Sequence, residues 1–184
     1  VDTVLLDNVD AAYRLTNHLI EQGYQRIGAL CSEMSTGFER QQGYEKALRA
    51  HGLALRAEYM KYIPPRTEAG YAAALKMLDT SEPPDALFTA NSLIAAGALE
   101  AIRERKLNIP DEIALVTFDE TTWASLVQPA ITLIAQPTYE IGKTAAELLL
   151  QRIADPSRPT RQVILKGQLV VRGSSTPRQP GRLA

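Results

Sequence analysis

Short apolar runs alternate along this chain with amphipathic stretches, in a rhythm of strand followed by helix. Residues 3–7 read as a strand. Residues 8–22 read as a helix, with Ala11, Leu15 and Leu19 recurring every fourth position on one face. Asp7 or Asn8 is placed to accept hydrogen bonds from the free amides of its first turn, and Gly23 suits the left-handed step that ends a helix. A strand over 26–31 and a helix over 38–51 follow, the latter with Tyr44, Ala47 and Leu48 inward and Gly52 as its stop. The next strand is 59–63, interrupted by Pro64-Pro65, because proline brings no amide to a ladder.

The rhythm continues to the end of the chain. A helix over 67–78 is expected to be capped by Thr67, then a strand covers 86–89, a helix 92–105 and a strand 113–118. A strand over 131–135 leads to Pro137, which suits a first helical turn. The helix behind it runs to about 153 with Ile141, Ala145, Leu148 and Leu149 inward, and 163–171 reads as one long final strand. Residues 174–184, rich in Pro, Gly and Arg from Thr176 onward, read as a disordered tail. This spacing predicts βαβ units and an α/β, doubly wound parallel sheet. The apolar runs 27–31 and 113–118 suit strands covered on both faces.

Composition narrows the class. Twenty Lys and Arg against 21 Asp and Glu give a net charge of −1, without the basic footprint of a nucleic-acid-binding domain. A single cysteine, Cys31, excludes an internal disulfide and makes a reducing, cytoplasmic home the expectation. No apolar run reaches the roughly 18 residues of a membrane span, so no membrane partner is expected. The chain opens on Val1 with a strand already under way, so an upstream segment is expected.

In doubly wound sheets, ligands bind beyond the carboxyl ends of the strands. Those positions hold Ser32, Ser35, Thr36, Glu39 and Arg40, then Asn91, then Asp119, Glu120 and Trp123, and finally Gln136. The mixture of guanidinium, amide, carboxylate, hydroxyl and indole is what a polyol needs, because each sugar hydroxyl both donates and accepts. Each residue also has a plainer reading: Arg40 as surface arginine, Asn91 as N-cap, Asp119 as loop carboxylate, Trp123 as a half-buried lobe or subunit contact. Convergence at successive strand ends favours the set as an effector site. Catalytic arrangements are poor. His18 and His51 both fall inside predicted helices, away from Cys31, and no HExxH, CxxC, P-loop, GxGxxG or GxSxG occurs. No enzyme, metal or cofactor is expected.

Several separated stretches carry a resemblance. They are Leu6-Asp7-Asn8, His18-Leu19-Ile20-Glu21-Gln22-Gly23-Tyr24, Arg40-Gln41-Gln42-Gly43-Tyr44, Thr89-Ala90-Asn91, Ile109-Pro110-Asp111-Glu112-Ile113-Ala114-Leu115-Val116-Thr117-Phe118-Asp119 and Pro129-Ala130-Ile131-Thr132-Leu133-Ile134-Ala135-Gln136-Pro137. In order and spacing, from residue 1 to 173, the chain resembles the LacI/GalR family of transcription regulators. The resemblance implies a two-lobed, periplasmic-binding-protein-like fold with a small sugar or sugar-acid effector between the lobes. It implies that this chain is mostly the C-terminal lobe, over 8–134 and 160–173, with the helix 137–154 belonging to the N-terminal lobe. Operator DNA would be met only by an upstream helix-turn-helix domain.

Carried over position by position, Arg40 resembles the family arginine that grips hydroxyls or a carboxylate. Asn91 resembles the lobe-edge asparagine, Asp119 the aspartate that accepts from the ligand, Gln136 the crossover glutamine and Thr36 a pocket hydroxyl. Three positions depart from the family: Ser92 stands for aspartate, Thr117 for glycine, and Pro65 for a ring-stacking aromatic that Trp123 would replace. The stretch Phe118 to Trp123 is similar to members that respond to keto-sugar acids such as 2-ketogluconate. A homodimer is implied, through the helix 92–105 and the stretch 123–129. The alternative is a periplasmic sugar-binding protein of a transport system, which a signal peptide upstream would mark. From the charge balance, the chain by itself is expected not to hold operator DNA in a filter-binding assay. Sequence-preferring retention with a salt slope of several charges is the opposing result.

Overall fold

The computed structural model describes residues 1–177. Six strands form the larger sheet, β2 (Ile27–Ser32), β3 (Met60–Ile63), β4 (Ala86–Thr89), β5 (Ala114–Phe118), β6 (Thr132–Ala135) and β8 (Gln168–Val170). Their order is β3-β2-β4-β5-β6-β8, parallel throughout except for the antiparallel β6–β8 pair. The central strands are buried on both faces, and period-2 alternation sorts their side chains into two cores. Ala29, Cys31, Phe88, Val116, Phe118 and Ile134 face one way, and Leu30, Leu87, Leu115 and Leu133 the other.

Helices α1 (Asn8–Glu21) and α2 (Ser35–Ala50) cover the first face, α3 (Thr67–Leu78) and α4 (Ser92–Glu104) the second. Leu15 and Leu19 of α1 are fully buried, as their spacing predicts. Each such leucine contributes about 1.5–3 kcal/mol by leaving water. The α1–α2 crossing is close because Gly43 lacks a side chain: a Cβ there would sit 2.2 Å from the Val9 carbonyl oxygen. A short helix, α5 (Thr122–Leu126), follows β5 and had no counterpart in the hydrophobic pattern.

Three elements stand apart from this body. Strand β1 (Thr3–Leu6) pairs in parallel with β7 (Gln162–Leu165), and α6 (Thr138–Ala154) packs on β1. The chain passes between the two units three times, after β1, after β6 and after β7. The single long strand expected over 163–171 is therefore two. It is divided at Lys166-Gly167, and 162–165 joins β1 rather than the large sheet, where all of 160–173 was expected. Gly167 marks the bend, where a Cβ would meet Ile134 at 2.6 Å. Of the four α6 residues expected inward, only Leu148 is buried, and Leu149 is 59% exposed, because α6 rests on β1 rather than on a full sheet. No helix among the described residues is long and apolar enough to cross a membrane.

Two further expectations change. Arg66 and not Thr67 occupies the cap position of α3, with no side-chain hydrogen bond there. The tail expected from 174 begins with ordered residues: Ser174 and Ser175 are fully buried in a 3-10 turn (Gly173–Ser175), while 178–184 lie outside the described residues. Ser174 Oγ donates to the Leu115 carbonyl at 2.6 Å and accepts from the Thr132 amide at 2.8 Å. Ser175 Oγ donates to Thr132 Oγ1 at 2.6 Å and lies 2.8 Å from His18 Nε2, which leaves the imidazole as the donor to it. Tyr24 adds a hydrogen bond from its hydroxyl to the Thr176 carbonyl at 3.0 Å.

Burial of His18 disfavours its charged form and pulls its pKa below the ordinary 6.5. The unfolded chain therefore takes up a proton before the folded one does. The stabilisation is present above about pH 6.5 and is lost as pH falls from there through the depressed folded value. Denaturant midpoints measured at pH 7.5 and at successively lower pH are expected to fall on the acid side. His18→Gln, which keeps a donor toward Ser175 and cannot titrate, is expected to flatten that fall. An unchanged acid slope in His18→Gln counts against the assignment.

Candidate functional site

At the carboxyl ends of β2, β4, β5 and β6 the large sheet meets the small unit, and between them lies a hollow of about 390 Å³. Thr36, Arg40, Asn91, Asp119 and Gln136 all line it, together with Asn8, Ser32 and Pro65 of the larger body. Val4, Leu5, Leu6 and Ile141 contribute the wall from the small unit. Five of the six residues read from the sequence as an effector set thus come together. Trp123 does not line the hollow. It is half-buried in α5 against the core beneath α3 and α4, which is its plainer reading. A larger hollow, about 430 Å³ between α6 and β1, is lined by Val4, Ala145, Leu148 and Leu149 with the Asp2–Arg152 ion pair at its side. Its polar lining is Asp2, Arg152 and Thr160, and the first two are spent on one another, so size alone does not make it the site.

Arg40 is the centre of the polar hollow and is only 6% exposed. It reaches the hollow because the first turn of α2 closes tightly over the end of β2, where a Cβ on Gly37 would fall 2.0 Å from the Ser32 carbonyl oxygen. Its Nε donates to Asn8 Oδ1 at 2.8 Å, and its Nη1 donates to the Ala90 carbonyl. The guanidinium lies 3.8 Å over the Phe118 ring, a cation–π stack. Burial pulls its pKa down, and the negative charges of Asp119 and Glu39 pull it back up. Arginine stays charged in either case.

The remaining groups are fixed by their strand ends. Asp119, the first residue after β5, takes a left-handed backbone conformation with φ 75°, which turns its side chain out of the strand's course. Its Oδ1 accepts from Gln136 Nε2 at 2.5 Å, so the residues after β5 and β6 form one polar pair. Asn91 caps α4, accepting from the Ile94 amide at 2.9 Å, and also lines the hollow. The plain and the functional readings of Asn91 therefore coexist. Thr36 is exposed on the first turn of α2.

Asn8 is the residue that sequence reasoning left as a helix cap. Asp7 does the capping, accepting from the Asp10 amide at 3.0 Å. Asn8 is instead buried, and its Nδ2 donates to Glu39 Oε2 at 2.7 Å while its Oδ1 serves Arg40. The available signal was two capping-type residues in succession where a helix needs one. Chemically, among the described residues the hollow offers one cation, one carboxylate, three amides and two hydroxyls, with apolar walls. Among the described residues no group of three or more metal-ligating side chains occurs. The arrangement fits reversible binding of a hydroxyl-rich small molecule.

The chain is similar to known proteins over most of its length. The family described as periplasmic binding protein-like domain matches residues 16–175. The chain is 35% identical over 175 residues to the HTH-type transcriptional repressor CytR of Escherichia coli K12, covering 94% of this chain and 51% of that protein. It is 33% identical over 176 residues to the HTH-type transcriptional regulator CelR of Thermobifida fusca, covering 95% of this chain and 52% of that protein. Among solved structures, the CelR–cellobiose complex superposes with a TM-score of 0.90 at 33% identity, over 95% of this chain and 54% of that one. A LacI family regulator from Enterococcus faecium with bound ribose superposes at 0.85 and 26% identity, over 97% of this chain and 66% of that one. The chain thus spans about half the length of the curated relatives it matches.

Proposed function

Because the chain belongs to the LacI family of regulators, with its periplasmic-binding-protein-like effector domain, we propose that it senses a sugar, or a sugar acid, on behalf of a transcription regulator. The observation that carries this reading is the convergence of Arg40, Asp119, Gln136, Asn91 and Thr36 on one hollow at the strand ends. Sugar hydroxyls need donors and acceptors side by side, and this set supplies both within one apolar-walled cleft. The CelR structure holds cellobiose and the Enterococcus faecium regulator holds ribose, which supports the sugar class. The narrower expectation of a keto-sugar acid such as 2-ketogluconate would require Arg40 to hold its carboxylate, and it is one arm of the titration below. A periplasmic sugar-binding protein is the alternative role for the same fold.

In the regulator, β1, α6 and β7 are read as parts of the N-terminal lobe and the six-stranded body as the C-terminal lobe. Effector held between them would bias their closure and so the operator affinity of a helix-turn-helix domain elsewhere in the protein. The working place is the cytoplasm, and the reading assigns no catalytic step.

A homodimer belongs to the same reading. Leu93 on α4 and Leu126 on α5 are 53% and 72% exposed, on the surfaces expected to pair. Sedimentation of the full-length protein is expected to show a dimer, with Leu93→Arg and Leu126→Arg shifting it toward monomer. A strictly monomeric parent at high concentration contradicts this.

The site is tested by calorimetric titration of the full-length protein with D-ribose, cellobiose and 2-ketogluconate. Arg40→Ala and Asp119→Ala are each expected to weaken the bound sugar by about 1.5–3 kcal/mol, about tenfold to a hundredfold, because each removes one partner of a charged hydrogen bond. Unchanged affinity in both variants would remove this site from consideration.

A further inference from the structure

Resting on the sugar-sensing reading above, we propose that Asn8 is a specificity-determining residue of the cleft, and that the site it shapes selects uncharged polyols over sugar acids. A guanidinium grips a carboxylate best through two parallel N–H donors. Arg40 has two edges that present such a fork, Nε with Nη2 and Nη1 with Nη2. The first is engaged on its Nε arm, because Nε carries one hydrogen and Asn8 Oδ1 takes it at 2.8 Å. On the second, the Ala90 carbonyl occupies one hydrogen of Nη1. Nη2 is the nitrogen left without a hydrogen bond among the described residues. The edge that pairs Nε with Nη2 is therefore closed to a carboxylate, while both hydrogens of Nη2 and the second hydrogen of Nη1 remain as donors to hydroxyl oxygens.

Charge points the same way. Asp119 lines the hollow, and Asn8 holds Glu39 close behind Arg40 by its 2.7 Å hydrogen bond. Both carboxylates act on the guanidinium. One cation thus stands against two anions, and an anionic ligand meets repulsion where a neutral polyol meets acceptors for its hydroxyls. Asn8 contributes to both effects: its oxygen occupies the Nε side of one fork and its amide anchors the second carboxylate.

The experiment compares matched neutral and acidic ligands, D-ribose with D-ribonate and cellobiose with cellobionate, by calorimetric titration of the full-length protein. The parent is expected to favour the neutral member of whichever pair it binds by about tenfold or more, the worth of one charge-assisted hydrogen bond. Asn8→Leu frees Nε and releases Glu39, and is expected to lower that preference at least about threefold. Asn8 is buried, so Glu39→Gln serves as a second variant. It keeps an acceptor for Asn8 Nδ2, removes the charge, and is expected to narrow the preference in the same direction. Acid bound as tightly as neutral sugar by the parent overturns the inference while leaving sugar sensing in place, as does a preference unmoved by Glu39→Gln and by any folded Asn8→Leu. Absence of binding by all four ligands to the parent overturns the sugar-sensing reading and this inference with it.

Discussion

The structure around the cleft depends on one buried guanidinium. Removing a full charge from water costs several kcal/mol unless its donors are satisfied and its face is covered. Arg40 meets much of that condition with three elements at once, Asn8 at the head of α1, the Ala90 carbonyl just after β4, and the Phe118 ring at the end of β5, and leaves Nη2 for a ligand. The same contacts that make its burial tolerable therefore tie the ends of β4 and β5 to the start of α1. A group left loose in solvent would bind ligand at the expense of ordering itself. This one is ordered before ligand arrives, which is the condition for tight recognition by few contacts.

Around it, the parallel sheet supplies position and the loops supply chemistry. Every parallel strand ends on the same side, so residues distant in sequence, from Asn8 to Gln136, arrive on one rim. Asp119 reaches its place by a left-handed backbone step and is paired with Gln136. Asn91 serves both the helix and the cleft, since a cap oxygen facing the amides of α4 leaves its NH2 end available. Polar groups in the site are thus mostly engaged with one another, and a ligand must replace or extend those bonds rather than fill an empty set.

A second buried polar cluster closes the opposite side of the large body. Ser174, Ser175, Thr132 and His18 form a chain of hydrogen bonds that pins the segment after β8 against β5, β6 and α1. Because α1 begins at Asn8 in the cleft and carries His18 in its last turn, one helix spans the distance between the two clusters. The ordering of residues 173–176 follows from this satisfaction of donors and acceptors, not from apolar burial.

Much of this was legible in the sequence. The alternation of strand and helix, the two-faced burial of β2 and β5, and the candidate residues at strand ends all follow from local periodicity and from the rule that parallel strands share a ligand-bearing end. Of the six candidates named from that logic, five line one hollow, and Trp123 packs against the core instead, as an indole near a strand end readily does. What the sequence by itself determined was the class of fold and the chemistry carried by each strand end. The tertiary structure alone decided that 163–171 splits at Gly167 to serve two sheets, that Ser174 and Ser175 are core residues in a stretch composed like a tail, and that Asn8 faces Arg40 rather than capping its helix. Each of these depends on a partner more than 30 residues away, and local pattern carries no record of such a partner until the chain has folded and brought it within hydrogen-bonding distance.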